Sequence, residues 1–251
     1  MTDFNRHNNE IQQNLKFWEQ KPILQAIYND FYSLIVNSTN QSVAGKIVEI
    51  GSGIGNLKKH IPDCICTDAF DNPWIDQVEN AYKLSFDDND ISNLILFDVW
   101  HHLEYPVAAL NEFQRVLKEQ GRIILLEPYI SFLGLLVYGI FHPEDVAWHK
   151  KIKPDKDVNL NELSYYAAQG NATRFFQRKK YFKFLQGFTI KEIKKLPAIA
   201  YVMSGGYSKK QMFPDKHYAK IKKIESLLDY LPSLFATRCL IILEKNNIKI
   251  I

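Results

Sequence analysis

Cysteine is scarce in this 251-residue chain, which holds three: Cys64, Cys66 and Cys239. That is too few for a disulfide framework, and Cys64-Ile65-Cys66 sets its thiols closer together than the usual spacing of zinc ligands. They read as reduced, partly buried packing residues. No grouping of His, Cys and Asp has convincing metal spacing, so no metal is expected. Long hydrophobic runs are also missing. The longest, Ile130 to Phe141, contains Ser131, Gly134 and Gly139 and falls short of the roughly 18 to 20 apolar residues that cross a bilayer. Met1 to Glu10 is polar and lacks the apolar core of a signal peptide, so the expected location is cytoplasmic. No repeat or low-complexity tract stands out.

What is abundant is core-forming material and unevenly placed charge. Hydrophobic residues make up 46%, ample for a sizeable core and against disorder. The net charge is only +3, yet residues 1–141 carry 10 Lys/Arg against 18 Asp/Glu, and residues 142–251 carry 21 against 10. Such asymmetry can attract an anionic substrate or surface; a lysine-rich solvated face is the simpler reading.

Apolar positions between Asn14 and Val36 recur at mostly helical spacing, with Lys21-Pro22 able to break the stretch into two helices. Short apolar runs at Ile47–Ile50, Cys64–Thr67, Asn93–Phe97 and Arg122–Leu126 suit buried parallel strands, with helices at Asn56–His60 and Ala108–Leu117. Thr189–Leu196 and Thr237–Glu244 read as further strands. The alternation predicts an α/β fold with a mostly parallel, doubly wound sheet. Residues 1–45 read as N-terminal helices packed on the core, 46–129 as the ligand-binding α/β core, 130–187 as a helical lid with an aromatic helix at Ala172–Leu185, and 188–251 as strands completing the sheet.

In such a sheet, ligands bind beyond the carboxyl ends of the strands, where a glycine turn lets them approach the backbone. Gly51-Ser52-Gly53-Ile54-Gly55 follows the first strand directly. A dinucleotide fingerprint wants a third glycine at position 56, which is Asn56, so a pyrophosphate is less well accommodated. Glu49 puts a carboxylate where it can meet a cationic ammonium, which adenosylmethionine has and a pyrophosphate lacks; capping of nearby amides is the structural alternative. Asp68, ending the second strand, can accept from both hydroxyls of a ribose, or it is a surface turn residue. Asn80 can accept from an adenine amine while the Ala81 amide donates to a ring nitrogen, or Asn80 simply forms a turn.

The order of Val48-Glu49-Ile50-Gly51-Ser52-Gly53, Asp68, Asn80-Ala81, Asp98-Val99-Trp100-His101-His102-Leu103, Arg115 to Arg122 and Leu126-Glu127-Pro128 resembles the class I S-adenosylmethionine-dependent methyltransferases, specifically the methyltransferase type 11 group, over about residues 45 to 129. The resemblance implies a Rossmann-like, seven-stranded sheet with an antiparallel last strand. It also implies S-adenosyl-L-methionine as cofactor, held by Glu49, Gly51, Ser52, Gly53, Asp68, Asn80 and Ala81, with Asp98 at the end of the fourth strand. The family more often has Asp at Asn80 and Gly at Gln120. Phe141-His142-Pro143-Glu144 and Met203-Ser204-Gly205-Gly206-Tyr207 look like a less-characterised bacterial branch with its own lid.

Methyl transfer from a sulfonium is an in-line displacement that needs a base only when the acceptor must lose a proton. His101 and His102 follow the fourth strand and are the candidates to orient or deprotonate the acceptor, against a purely structural role; His142 and His149 are weaker ones. The fourth strand lacks the Asn-Pro-Pro-Tyr type motif of amino-methylating nucleic-acid enzymes, so no nucleic-acid partner is expected. A small-molecule, glycan-linked or lipid-intermediate acceptor is expected, anionic if the basic excess marks it. Lid aromatics Tyr165, Tyr166, Phe175, Phe176, Tyr181, Phe182 and Phe184 either line its pocket or form core. The apolar run from Ile130 is compatible with peripheral membrane contact. The alternatives are an adenosylmethionine-binding regulatory protein without turnover and an NAD-dependent oxidoreductase.

Overall fold

The break expected at Lys21-Pro22 is where the first helix ends. The computed structural model describes residues 3–140, 146–152 and 166–247. In it, α1 (Asp3–Gln20) gives way to α2 (Pro22–Ser38). Pro22 has no amide to extend the first helix, and its fixed φ suits the first turn of the next. The corner is locked by Lys21, whose buried ammonium donates to the carbonyls of Ser204 (3.1 Å), Gly206 (2.7 Å) and Lys209. Ile23, Ile27, Phe31 and Ile35 line the buried face of α2, the three-to-four-residue spacing of an amphipathic helix.

Seven strands form one sheet: β1 (Lys46–Ile50), β2 (Cys64–Asp68), β3 (Gln77–Val78), β4 (Ile91–Phe97), β5 (Leu117–Pro128), β6 (Phe188–Leu196) and β7 (Arg238–Lys245), in the order β3-β2-β1-β4-β5-β7-β6. The first five pair in parallel, and β7 is antiparallel to both β5 and β6. Helices cover both faces, which is why the central strands read as unbroken apolar runs. Alternate residues serve opposite sides: Leu94 and Leu96 pack into one core with Trp100 and Phe113, and Ile95 packs into the other with α2. Strand order reverses between β1 and β4, so these two open the crevice where a doubly wound sheet takes its ligand. Cys64, Cys66 and Cys239 are free and buried, as expected.

Elsewhere the chain departs from its sequence pattern. After α3 (Pro106–Val116), β5 starts at Leu117, and its pairing with β4 shifts register before settling from Arg122 onward. Gln120 sits in the shifted stretch with φ +62°. Beyond α4 (Phe132–Ile140), the aromatic helix is two pieces: α5 (Asn171–Gln177) and a 3-10 segment, Lys179–Leu185. Arg178 between them is extended. The last quarter adds α6 (Ile199–Ser204), α7 (Tyr218–Leu228) and α8 (Pro232–Phe235) between its strands. Among the described residues, no helix is long and apolar enough to cross a membrane.

Candidate functional site

The glycine turn is forced by its surroundings. Gly51 has φ +70°, and a Cβ there would stand 2.5 Å from Val99 Cγ2, so neither its conformation nor its space admits a side chain. Gly53 differs: its φ is +54°, but a Cβ would meet nothing within 4 Å. The turn therefore faces open space, with room for a ligand directly against the backbone. That space is a cavity of about 390 Å³ at the carboxyl ends of β1, β2 and β4. Glu49, Gly51, Ser52 and Gly53 line it from the turn, and Asp68, Asn80, Ala81, Asp98 and His102 line it from the neighbouring strand ends. His101 does not.

Glu49 is 4% exposed, with Cys66 Sγ 3.8 Å from its carboxylate. Burial pushes its carboxyl well above the usual carboxylate range, because the charged form has lost its water. Asp68 is heavily engaged: Oδ2 accepts from the Gly53 amide (3.0 Å), and Oδ1 accepts from the Ala69 amide (2.7 Å). His7 of α1 brings Nε2 to 3.2 Å from Oδ1, an ion-pair contact. Burial alone would lower the His7 pKa; Asp68, and then Glu10, outweigh it and raise the pKa above the ordinary value. Asn80 Oδ1 accepts from the Tyr82 amide at 2.9 Å, an Asx turn that presents Asn80 and Ala81 to the cavity.

The rings of His101 and His102 lie 4.2 Å apart between centroids but have different partners. His101 is buried, its Nδ1 2.7 Å from Glu127 Oε2. Glu127, fully buried at the end of β5, also accepts the amides of Val99 (2.8 Å) and Trp100 (2.7 Å) through Oε1. Burial pushes its carboxyl up to about 7 against the pull of those amides. Glu127 and His101 thus pin the segment after β4 that carries His102 into the cavity. The His102 Nδ1 lies 2.9 Å from the Tyr166 carbonyl. A carbonyl can only accept, so Nδ1 carries the proton and Nε2 is the basic nitrogen of the neutral ring.

Asp98 pairs with Arg238, which is 1% exposed and packs over the rings of Phe31, Phe97 and Tyr201 at 5.3, 5.2 and 4.9 Å. This explains how Asp98 holds a φ of +59°. Ligand atoms of Asp98, His101 and Glu127 lie within 4.8 Å of one another, the one such grouping among the described residues. Each is already partnered within the protein, and the buried guanidinium beside them opposes a cation.

Sequence reasoning missed the far wall. His7 and Glu10 of α1, Tyr28 and Tyr32 of α2, and Tyr201 and Tyr207 at α6 all line the cavity. Tyr28 packs edge-on against Tyr201 and Tyr207, with ring centroids 6.1 and 5.3 Å apart. Of the lid aromatics, Phe175, Phe176 and Tyr181 belong to the core, Phe184 packs against it and Phe182 is exposed, leaving Tyr166 on the cavity wall. His149 is not on that wall; His142 and Tyr165 lie outside the described residues. Six carboxylates line the cavity, from Glu10, Glu49, Asp68, Glu79, Asp98 and Glu104, with no lysine or arginine among the described lining residues.

Residues 48–125 match the family described as Methyltransferase domain. The chain is 27% identical over 131 residues to the nucleoside triphosphatase I of Melanoplus sanguinipes entomopoxvirus, a match covering 51% of this chain and 18% of that protein. It therefore spans less than a fifth of that curated relative. Among solved structures, geranyl diphosphate C-methyltransferase from Streptomyces coelicolor A3(2), in complex with Mg2+, geranyl diphosphate and S-adenosyl-L-homocysteine, aligns with a TM-score of 0.53 and 11% identity, over 87% of this chain and 79% of that one. A SAM-dependent methyltransferase from Methanosarcina mazei aligns with a TM-score of 0.45 and 16% identity, over 85% and 97%. The first of these shares the fold, and the family match covers the strands and turns that build the cavity. Over residues 48–125 the chain is thus similar to the methyltransferase domain family.

Proposed function

We propose that this chain transfers the methyl group of S-adenosylmethionine to a small-molecule, glycan-linked or lipid-linked acceptor, with His102 beside the acceptor atom. The observation that carries the reading is that Glu49, Asp68, the Asn80–Ala81 turn and His102 share one cavity with the open face of Gly53. Glu49 would face the cofactor's ammonium, Asp68 its ribose, and Asn80 with Ala81 its adenine. When bound, the cofactor supplies an electrophilic methyl carbon on a sulfonium. Where the acceptor carries a proton, His102 Nε2 would take it as the acceptor's lone pair receives the methyl group. His101 and Glu127 act as positioning residues that hold His102 in place.

The acceptor's buried part is neutral or cationic on this reading, because the cavity walls carry carboxylates and phenols. A phosphate or carboxylate elsewhere on it would stay outside, against the basic surface of the second half. The test is tritiated methyl transfer to aqueous and lipid extracts, followed by purification of the labelled product. The reading expects label to move and His102→Ala to slow turnover on a proton-bearing acceptor by about a hundredfold or more. Tight cofactor binding with no labelled product from any extract would show a binding protein instead. Full turnover by both His101→Ala and His102→Ala would remove the histidines from the chemistry.

A further inference from the structure

Most of the large apolar side chains left exposed among the described residues gather in one place. On α4, Phe132 (65% exposed), Leu135, Leu136 and Ile140 (66%) face outward at helical spacing. The opposite side of α4 is fixed: a Cβ on Gly134 would fall 2.1 Å from the Tyr129 carbonyl oxygen, and the Tyr138 hydroxyl donates to the Thr237 carbonyl (3.0 Å). The helix is therefore held with its apolar stripe turned to solvent. The corner between α7 and α8 packs beside it, tied by the Ser131 hydroxyl to the Leu234 carbonyl (3.2 Å), and exposes Leu227, Tyr230, Leu231 and Leu234. Soluble proteins seldom expose such a patch without a use for it.

We infer that α4 and the α7–α8 corner form a docking face for an anionic lipid surface. Charge and position favour that occupant. Lys220 and Lys223 are exposed on α7 and share a helical face with Leu227, and they belong to the half of the chain whose Lys/Arg outnumber Asp/Glu 21 to 10. Asp229 is the exposed acid at the end of α7, while Glu225 is buried against Lys222 and the Ala200 amide. Aliphatic and aromatic side chains flanked by lysine are the chemistry of a segment that lies in a membrane interface. The face also sits at the working edge of the sheet: α4 leaves the carboxyl end of β5, and α8 leads into β7, whose first residue, Arg238, holds Asp98 in the cavity wall. A lipid-borne acceptor would meet the cavity from that edge. The docking itself does not depend on the methyl-transfer reading.

The test is co-sedimentation of the full chain with phosphatidylcholine vesicles with and without phosphatidylglycerol, alongside sedimentation velocity without lipid. Binding should require phosphatidylglycerol and weaken with salt. It should drop about tenfold in Phe132→Ser/Ile140→Ser and in Lys220→Glu/Lys223→Glu, with S-adenosylhomocysteine affinity unchanged in both as proof of folding. No binding by the wild type, or binding that neither pair of substitutions weakens, overturns the inference. So does a wild-type dimer that Phe132→Ser/Ile140→Ser converts to monomer, which would make a second copy the occupant. Loss of S-adenosylhomocysteine binding in the wild type would count against the cofactor assignment and leave the docking result standing.

Discussion

Burial of a carboxyl group on a cavity floor favours its neutral form, and an arriving cation favours the charged one. Glu49 is in that position, and the proposed cofactor brings an ammonium. Binding should therefore release a proton from Glu49 and tighten as pH rises, up to the raised pKa of the free protein. Calorimetry in buffers of different ionisation enthalpy reads that release. Glu49→Gln should abolish it and weaken S-adenosylhomocysteine by about ten- to a hundredfold, the scale of one charge-assisted hydrogen bond. A second residue carries strain: Gln120 holds φ +62°, a conformation that costs a side chain about 1–2 kcal/mol. Gln120→Gly should relieve it, partly offset by the freer unfolded chain, and raise stability by about 0.5–1 kcal/mol in urea titration. The sequence already pointed here, since glycine is the family's commoner residue at this position.

At the scale of elements, α1 does more than pack on the core. Its His7 pairs with Asp68, the carboxylate proposed for the ribose, so helix and cofactor compete for one group. The His7 pKa is raised; the protonated ring holds Asp68 below that pKa, and deprotonation above it lets go. Cofactor affinity should thus rise as pH passes upward through the His7 transition. His7→Ala should remove that step while leaving the Glu49 proton release, and hydrogen exchange in α1 should change when S-adenosylhomocysteine binds. None of this was legible in the sequence. The pattern showed that α1 and α2 are amphipathic, but not that His7 and Tyr32 would face a cavity closed by residues far along the chain. Strands β1, β2, β4 and β5 were legible because their buried apolar runs end in glycine or acid. The two-residue β3 carries no period, and the supposed aromatic helix breaks at Arg178, which packs over Trp148 at 5.5 Å.

Across the whole molecule, the parallel half of the sheet provides one wall of the cavity, and the far wall is assembled from both ends of the chain. That division explains what the glycine turn could and could not foretell. Neighbours in sequence, such as Glu49 and Gly53, line the cavity through local geometry and are readable as a motif. Tyr28, Tyr32, Tyr201 and Tyr207 reach its wall through tertiary packing alone. Adjacent His101 and His102 were indistinguishable in the sequence and part company only because Glu127, on another strand, takes the first. The central claim is that this cavity is shaped for S-adenosylmethionine and not for a dinucleotide. Titration calorimetry of the full chain with S-adenosylhomocysteine and NAD tests it most directly: saturable one-to-one binding of the first and none of the second is predicted, whereas binding of NAD without S-adenosylhomocysteine would contradict the account.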